Sequence, residues 1–248
     1  MFIFGSGVLL VQRTDISNAT PVNAGLLQDI ALDLSFDTKM AYGQYQFPVA
    51  LGRGKGKLTG KAKTARISGR VLGDVFLGIT PTVGELLMSF AEGPNSIPTT
   101  PYQITVTNAA TFVDDYGVVN ATTGLPLTRV ASSPTTGQYS VATATGIYTF
   151  AAADTGVSVL INYTYTVTTA GTQQIVVTNQ LMGTTPTFQA QLYGTFQGKA
   201  ANFKLYNCVS NKFNMATKLD DFMVPEFDFD IFANAAGNIG NFSFGEIS

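Results

Sequence analysis

Between Leu26 and Lys63 the chain alternates twice, with opposite charge each time. Leu26, Gln28, Ile30, Leu32, Leu34 and Phe36 take the even positions, and Asp29, Ala31, Asp33, Ser35 and Asp37 the odd ones. A period of two makes an extended strand with one apolar and one acidic face. From Arg53 the pattern returns with Lys55, Lys57, Thr59, Lys61 and Lys63 on one face and Gly54, Gly56, Leu58, Gly60 and Ala62 on the other. Antiparallel pairing of the two sets carboxylates opposite ammonium groups, at roughly 0.2–1 kcal/mol per pair. The glycine backing lets another layer or subunit approach closely. The stretch Lys39–Gly52, with Tyr42, Tyr45, Phe47 and Pro48, reads as a long apolar loop that must pack on something. Ala65–Gly78 carries Ile67, Val71, Leu72, Val75 and Phe76 at helical spacing, and Gly78 suits the C-cap.

Of the 248 residues 45% are hydrophobic but only 12% charged, against roughly 25% in an ordinary soluble domain. The surface must therefore be neutral and polar, or be covered by partners. A net charge of −2 gives no global attraction to nucleic acid or to an anionic membrane. Cys208 is the only cysteine, which rules out an intrachain disulfide and a cysteine zinc site, and it reads as a small buried hydrophobe. Histidine is absent, so the commonest general base and metal ligand is missing. The expectation is a non-enzyme without cofactor or metal. Met1–Val11 reads as a strand rather than a signal segment, since no basic region precedes it. No apolar run reaches the roughly 20 residues of a membrane span. The chain is expected to be made in the cytoplasm and to stay there until it is assembled.

At Gly93 the character changes. Pro94, Pro98 and Pro101 come in quick succession, and no lysine occurs between Lys63 and Lys199. Tyr102–Thr107, Phe112–Tyr116, Leu127–Val130, Gln138–Val141, Ile147–Phe150 and Val157–Thr166 read as short strands between Gly, Pro, Asn and Asp turns, the pattern of a small β-sandwich. We place it at 98–170, inserted into a β domain made of 1–97 and 171–248, with Val83–Ala91 as helix or strand in that outer domain. The outer domain resumes with strands at Gln173–Gln180, Thr187–Phe196 and Lys199–Asn207. Asn211–Phe222 reads as helix or loop. Val224–Ala233 alternates again, with Glu226, Asp228 and Asp230 opposite Phe227, Phe229 and Ile231, and Asn241–Ile247 forms the last strand.

The acidic rows have neither the spacing nor the glycine of an EF-hand, and a glycosidase pair would usually come with tryptophan platforms, which are absent. Gly52–Lys61 looks superficially like a phosphate loop, but Ala62 follows Lys61 where Ser or Thr is needed, and the glycine spacing is wrong. Its lysines are better read as neutralising nearby carboxylates. Asp114-Asp115-Tyr116-Gly117 reads as a turn.

Leu26–Phe36, Tyr42–Ala50, Gly54–Lys63 and the helix to Gly78, with the closing Phe227–Gly237, resemble the core of tail tube proteins of tailed bacteriophages. Gly146–Asp154 and Ile161–Tyr165 resemble the immunoglobulin-like insertions of phage virion proteins. The resemblance implies a mainly β fold, a tail-tube-like barrel of two orthogonal sheets with a flanking short helix, plus an inserted immunoglobulin-like sandwich. It also implies a structural virion protein, a viral tail tube subunit whose hexameric rings stack into the channel for DNA ejection. Partners would be further copies of the chain, sheath, tape-measure and tail terminator proteins, and viral DNA that passes without specific binding; no membrane is involved. On that reading Asp29, Asp33, Asp37, Asp228 and Asp230 are lumen-lining candidates. Tyr42, Tyr45, Phe47, Lys55, Lys57, Lys61 and Lys63 are inter-subunit candidates. The alternative is a capsid decoration or host-surface-binding virion protein that acts through its insert.

Overall fold

A computed structural model describes residues 5–66 and 68–245. Residues 1–4, Ile67 and the end of the last expected strand at Glu246 and Ile247 lie outside the described residues. The described residues are 54% strand and 6% helix, and among them no helix is long and apolar enough to cross a membrane. It divides into two units, 1–81 with 175–248, and 82–174. The insert therefore starts about sixteen residues before the 98 read from the sequence. The reason is the segment left open as helix or strand, which pairs entirely within the insert.

The first unit begins with β1 (Val8–Arg13) and a short β2 (Val22–Asn23), then β3 (Leu27–Tyr42) and β4 (Pro48–Thr64). β3 and β4 are 16 and 17 residues long and pair almost throughout, including Lys39 with Gly52, Met40 with Leu51 and Ala41 with Ala50. The expected fourteen-residue loop is thus mostly strand, and only Gly43–Phe47 turns. The helical segment is α1 (Gly69–Val71) continued by a π-helical turn, Leu72–Leu77. Ser68 Oγ accepts from the Val71 N–H at its start, and Gly78 ends it at φ 63°, a left-handed position that glycine takes without a Cβ clash.

The insert holds β5 (Thr82–Val83), β6 (Glu85–Ser96), β7 (Gln103–Thr105), β8 (Phe112–Asn120), β9 (Thr128–Arg129), β10 (Gln138–Ala142), β11 (Ile147–Phe150), β12 (Ser158–Val167) and β13 (Gln173–Gln174). One sheet runs β7-β11-β10-β9 and another β6-β12-β8, while β13 pairs only with β5. Val118, Val159, Ile161 and Tyr163 from one sheet and Tyr139, Tyr148 and Phe150 from the other make a single buried core. Asp114–Gly117 is not a turn but the middle of β8. Its Asp115 side chain, 2% exposed, accepts from the hydroxyls of Tyr139 at 2.8 Å and Tyr148 at 2.9 Å, with Arg129 at 3.5 Å. Burial, with the carboxylate beside them, pushes both phenols well above their ordinary range.

The first unit returns with β14 (Phe188–Phe196), β15 (Lys199–Asn214), β16 (Glu226–Phe232) and β17 (Gly240–Phe244). No strand forms between Ile175 and Thr187, and β15 runs on through Asn214, where the sequence suggested helix or loop. All eight strands of this unit form one sheet in the order β2-β1-β14-β15-β16-β4-β3, with β17 also on β15. Among the described residues the sheet does not close into a barrel, and the two orthogonal sheets expected are one continuous sheet. The cause is the length of β15. Its first half pairs with β14 and β17, and its second half with β16. Phe188 of β14 meets Phe229 of β16 edge to face, their centroids 5.9 Å apart. Phe76 of the helical segment packs on Phe213 and Phe227. Leu9, Val11, Leu58, Ala62, Val71, Val75, Leu205 and Cys208 complete the core. Burial pushes the Cys208 thiol up to about 12.

Candidate functional site

Two features of β3 and β4 stand out, a charged face near the core and a bare ribbon beyond it. On β4, Leu58, Ala62 and Thr64 are buried, so Lys57, Thr59, Lys61 and Lys63 face outward. β16 does the same, burying Phe227 and Phe229 and presenting Glu226, Asp228 and Asp230. β4 lies between β3 and β16, with Lys63 opposite both Asp29 and Glu226, and Lys61 opposite Asp228. Lys61 Nζ stands 2.6 Å from Glu226 Oε1 and Lys63 Nζ 3.9 Å from Asp29. Lys57 is 3.8 Å from Asp230, and Lys212 of β15 is 3.8 Å from Asp228. The hydrogen bond from Lys61 holds the Glu226 carboxyl below its ordinary range and raises the lysine in turn.

The acidic lining candidates are therefore not a separate wall. Asp33, Asp228 and Asp230 share one shallow depression with Lys57, Lys61 and Asn211. Asn211 Nδ2 donates to Asp230 at 2.7 Å, while Asp228 Oδ1 and Asp230 Oδ1 are covered and accept no hydrogen bond. Asp37 lies apart, on the outer ribbon, where Lys39, Arg53 and Lys55 outnumber it. Lys212 and Asn211 were missed because their segment read as helix or loop. Glu226, which meets three lysines, was legible as part of the acidic row, and only its role was not.

The glycine face of β4 is occupied from within the chain. The ring of Phe229, in register with Gly60, lies where a Cβ on that glycine would stand. Phe36 covers Gly56 in the same way, with the Arg53 guanidinium 4.1 Å above its ring.

Beyond the row of Leu34 and Leu58 both strands are exposed on both faces for the last eight residues of β3, roughly 25 Å at a strand's rise per residue. This ribbon carries Phe36, Met40, Tyr42, Val49 and Leu51, all exposed, and its turn carries Tyr45 at 73% and Phe47 at 80% exposure. Among the inter-subunit candidates, Tyr42, Tyr45, Phe47 and Lys55 sit on the ribbon, Lys61 and Lys63 on the charged face, and Lys57 where the two meet. Among the described residues, the outer edge of β3 has no strand partner. Among the described residues no group of three or more acidic or cysteine side chains could hold a metal ion.

Compared with the models of known protein families and with curated proteins, the chain matches none.

Proposed function

We propose that the chain is a structural subunit of a bacteriophage tail tube, which assembles through copies of itself into stacked hexameric rings that conduct DNA. The observation that carries this reading is the ribbon. A two-stranded ribbon is marginal alone in water, and one with this much exposed aromatic and aliphatic surface needs a cover. An open edge such as that of β3 is a template for pairing with another chain. Copies related by a rotation that closes supply both, forming rings, and a contact repeated along the axis turns rings into a tube. The charged face suits a channel wall. Its lysines are matched by carboxylates of the same chain, which leaves little unpaired positive charge to release counterions from passing phosphates.

The test is electron microscopy of the purified full-length protein at high concentration, alongside Phe47→Ser and Tyr45→Ser. Rings or tubes are expected from the parent, and shortened or absent tubes from the ribbon variants. A parent that stays monomeric at every concentration overturns the proposal, and coating of capsids by such monomers would point to decoration instead.

A further inference from the structure

The ribbon has a counterpart at the opposite end of its own sheet. β16 begins beside the Thr64 end of β4, where the Thr64 N–H donates to the Pro225 carbonyl at 3.0 Å and Glu226 lies opposite Lys63. The loop at 215–225, which joins β15 to β16, therefore projects beyond the row of Lys63, whereas the ribbon projects beyond the row of Leu58. A bridge between Lys218 and Asp221 folds this loop into a tight turn, which leaves Leu219 99% and Phe222 90% exposed. Met215, Met223 and Val224 are exposed as well. So contiguous an apolar surface needs a cover as much as the ribbon does.

The two ends carry opposite charge. Arg53 pairs with Thr38 and, one row further out, Leu51 pairs with Met40, so the guanidinium over the Phe36 ring stands on the same face of the ribbon as Met40 and Leu51. Resting on that ring, it keeps its N–H fork free for a carboxylate. Lys39 and Lys55 flank it, with Asp37 the sole carboxylate at the same concavity, and among the described residues none of the three cations is in an ion pair. The loop answers with Asp220 and Asp221 against a single lysine, Lys218, which reaches only Asp221, at 4.0 Å. A ribbon laid on a ribbon sets cations against cations, and a loop laid on a loop sets carboxylates against carboxylates, so each surface rejects its own kind. Another exposed apolar stretch of this unit, Val176, Val177, Leu181 and Met182, has no charged residue around it from Ile175 to Thr187 and offers the ribbon's cations nothing.

We infer that the ribbon of one copy is received by the loop at 215–225 of the next copy along the axis, with Leu219 and Phe222 on Met40 and Leu51, and Asp220 and Asp221 on Arg53. The assignment rests on the reading of the chain as a tube subunit and names the surface that receives its ribbon. An apolar centre with a charge-matched rim is the make-up of a protein contact. Because the two surfaces lie at opposite ends of one sheet, the contact is head to tail and repeats without closing on itself. Every copy brings one ribbon and one loop, so each is covered except at the two ends of the stack.

The experiment follows assembly of the full-length protein at low salt by light scattering and electron microscopy, beside Arg53→Glu, the double variant Asp220→Arg with Asp221→Arg, and a chain carrying all three changes. Arg53→Glu and the double variant should each raise the concentration needed for stacking roughly tenfold, leaving single rings where the parent gives tubes, with unchanged melting temperature. The triple variant should return to the parent's behaviour. An equimolar mixture of the two reversed proteins should stack as well, since each supplies the charge that the other lacks. If the parent forms tubes and either reversed protein stacks as the parent does, or if neither the triple variant nor the mixture recovers, the contact is overturned and the tube reading stands. A parent that forms neither rings nor tubes overturns the tube reading, and the contact with it.

Discussion

The two units handle carboxylates in opposite ways. On the β3-β4-β16 face, Asp29, Glu226, Asp228 and Asp230 meet lysines across the ladder while water still reaches them. In the insert, Asp115 is shut in with two phenols and one guanidinium. The exposed network can be rearranged at little cost, because solvent and salt screen each pair. The enclosed one cannot, because each partner would lose its only low-energy surroundings. A face left in water tolerates the first arrangement, and a small domain held on two chain crossings benefits from the second.

The strongest test of that contrast is Asp115→Ala, which leaves the Tyr139 and Tyr148 hydroxyls without their acceptor. It should cost roughly 2–5 kcal/mol, read as an earlier denaturant midpoint by tyrosine fluorescence; a loss no larger than that of an exposed pair would erase the distinction. The same two phenols sharpen it from the alkaline side. Their ordinary value is 10.0 and the fold raises both, so their contribution is intact below pH 10 and fades as the unfolded chain begins to ionise above it. Ultraviolet titration should show them silent until the protein unfolds.

Gly60→Val comes next. It pushes a side chain into the space of the Phe229 ring and should destabilise the first unit by roughly 1–3 kcal/mol, while the insert's exchange protection stays as it was. The Cys208 thiol, in the core of the first unit, should not react with a thiol reagent at neutral pH until that unit opens, and Gly60→Val should hasten the reaction.

The smallest effect belongs to Glu226→Gln. Glu226 is held below its ordinary 4.5 and Lys61 above its ordinary 10.5. Whatever the pair adds is therefore present between those values, is lost as pH falls through the lowered carboxylate, and is lost again as pH rises through the raised amine. Thermal melts at pH 7 should barely change, and any difference from the parent should vanish at high salt.

What the sequence revealed follows the same division. Where one face of a strand is buried and the other wet, as at Ile30–Asp33, Leu58–Thr64 and Glu226–Ile231, alternation showed the strand and its outward charges. At the start of β3 a bulge after Leu27 buries that residue and leaves Leu26, read as part of the apolar face, exposed. The ribbon from Lys39 to Gly52 has both faces in water, so no burial pattern marks it, and a strand there reads as a loop. Asp115 misled for a different reason. Asp, Asp, Tyr and Gly in succession are turn chemistry locally, but hydroxyls from β10 and β11, more than twenty residues away in sequence, hold Asp115 within a strand. β6 was ambiguous because its outer positions Leu86, Met88 and Phe90 are apolar and exposed, which removes the contrast a half-buried strand normally shows.

β15 has a mechanical corollary. Lys199–Asn214 is hydrogen-bonded to β14 and β17 along its first half and to β16 along its second, so a load on either flank of the first unit is carried by the same strand. A force applied at the tip of the ribbon first opens the exposed rows of β3 and β4, which no core holds, and only then reaches that common spine through β4 and β16.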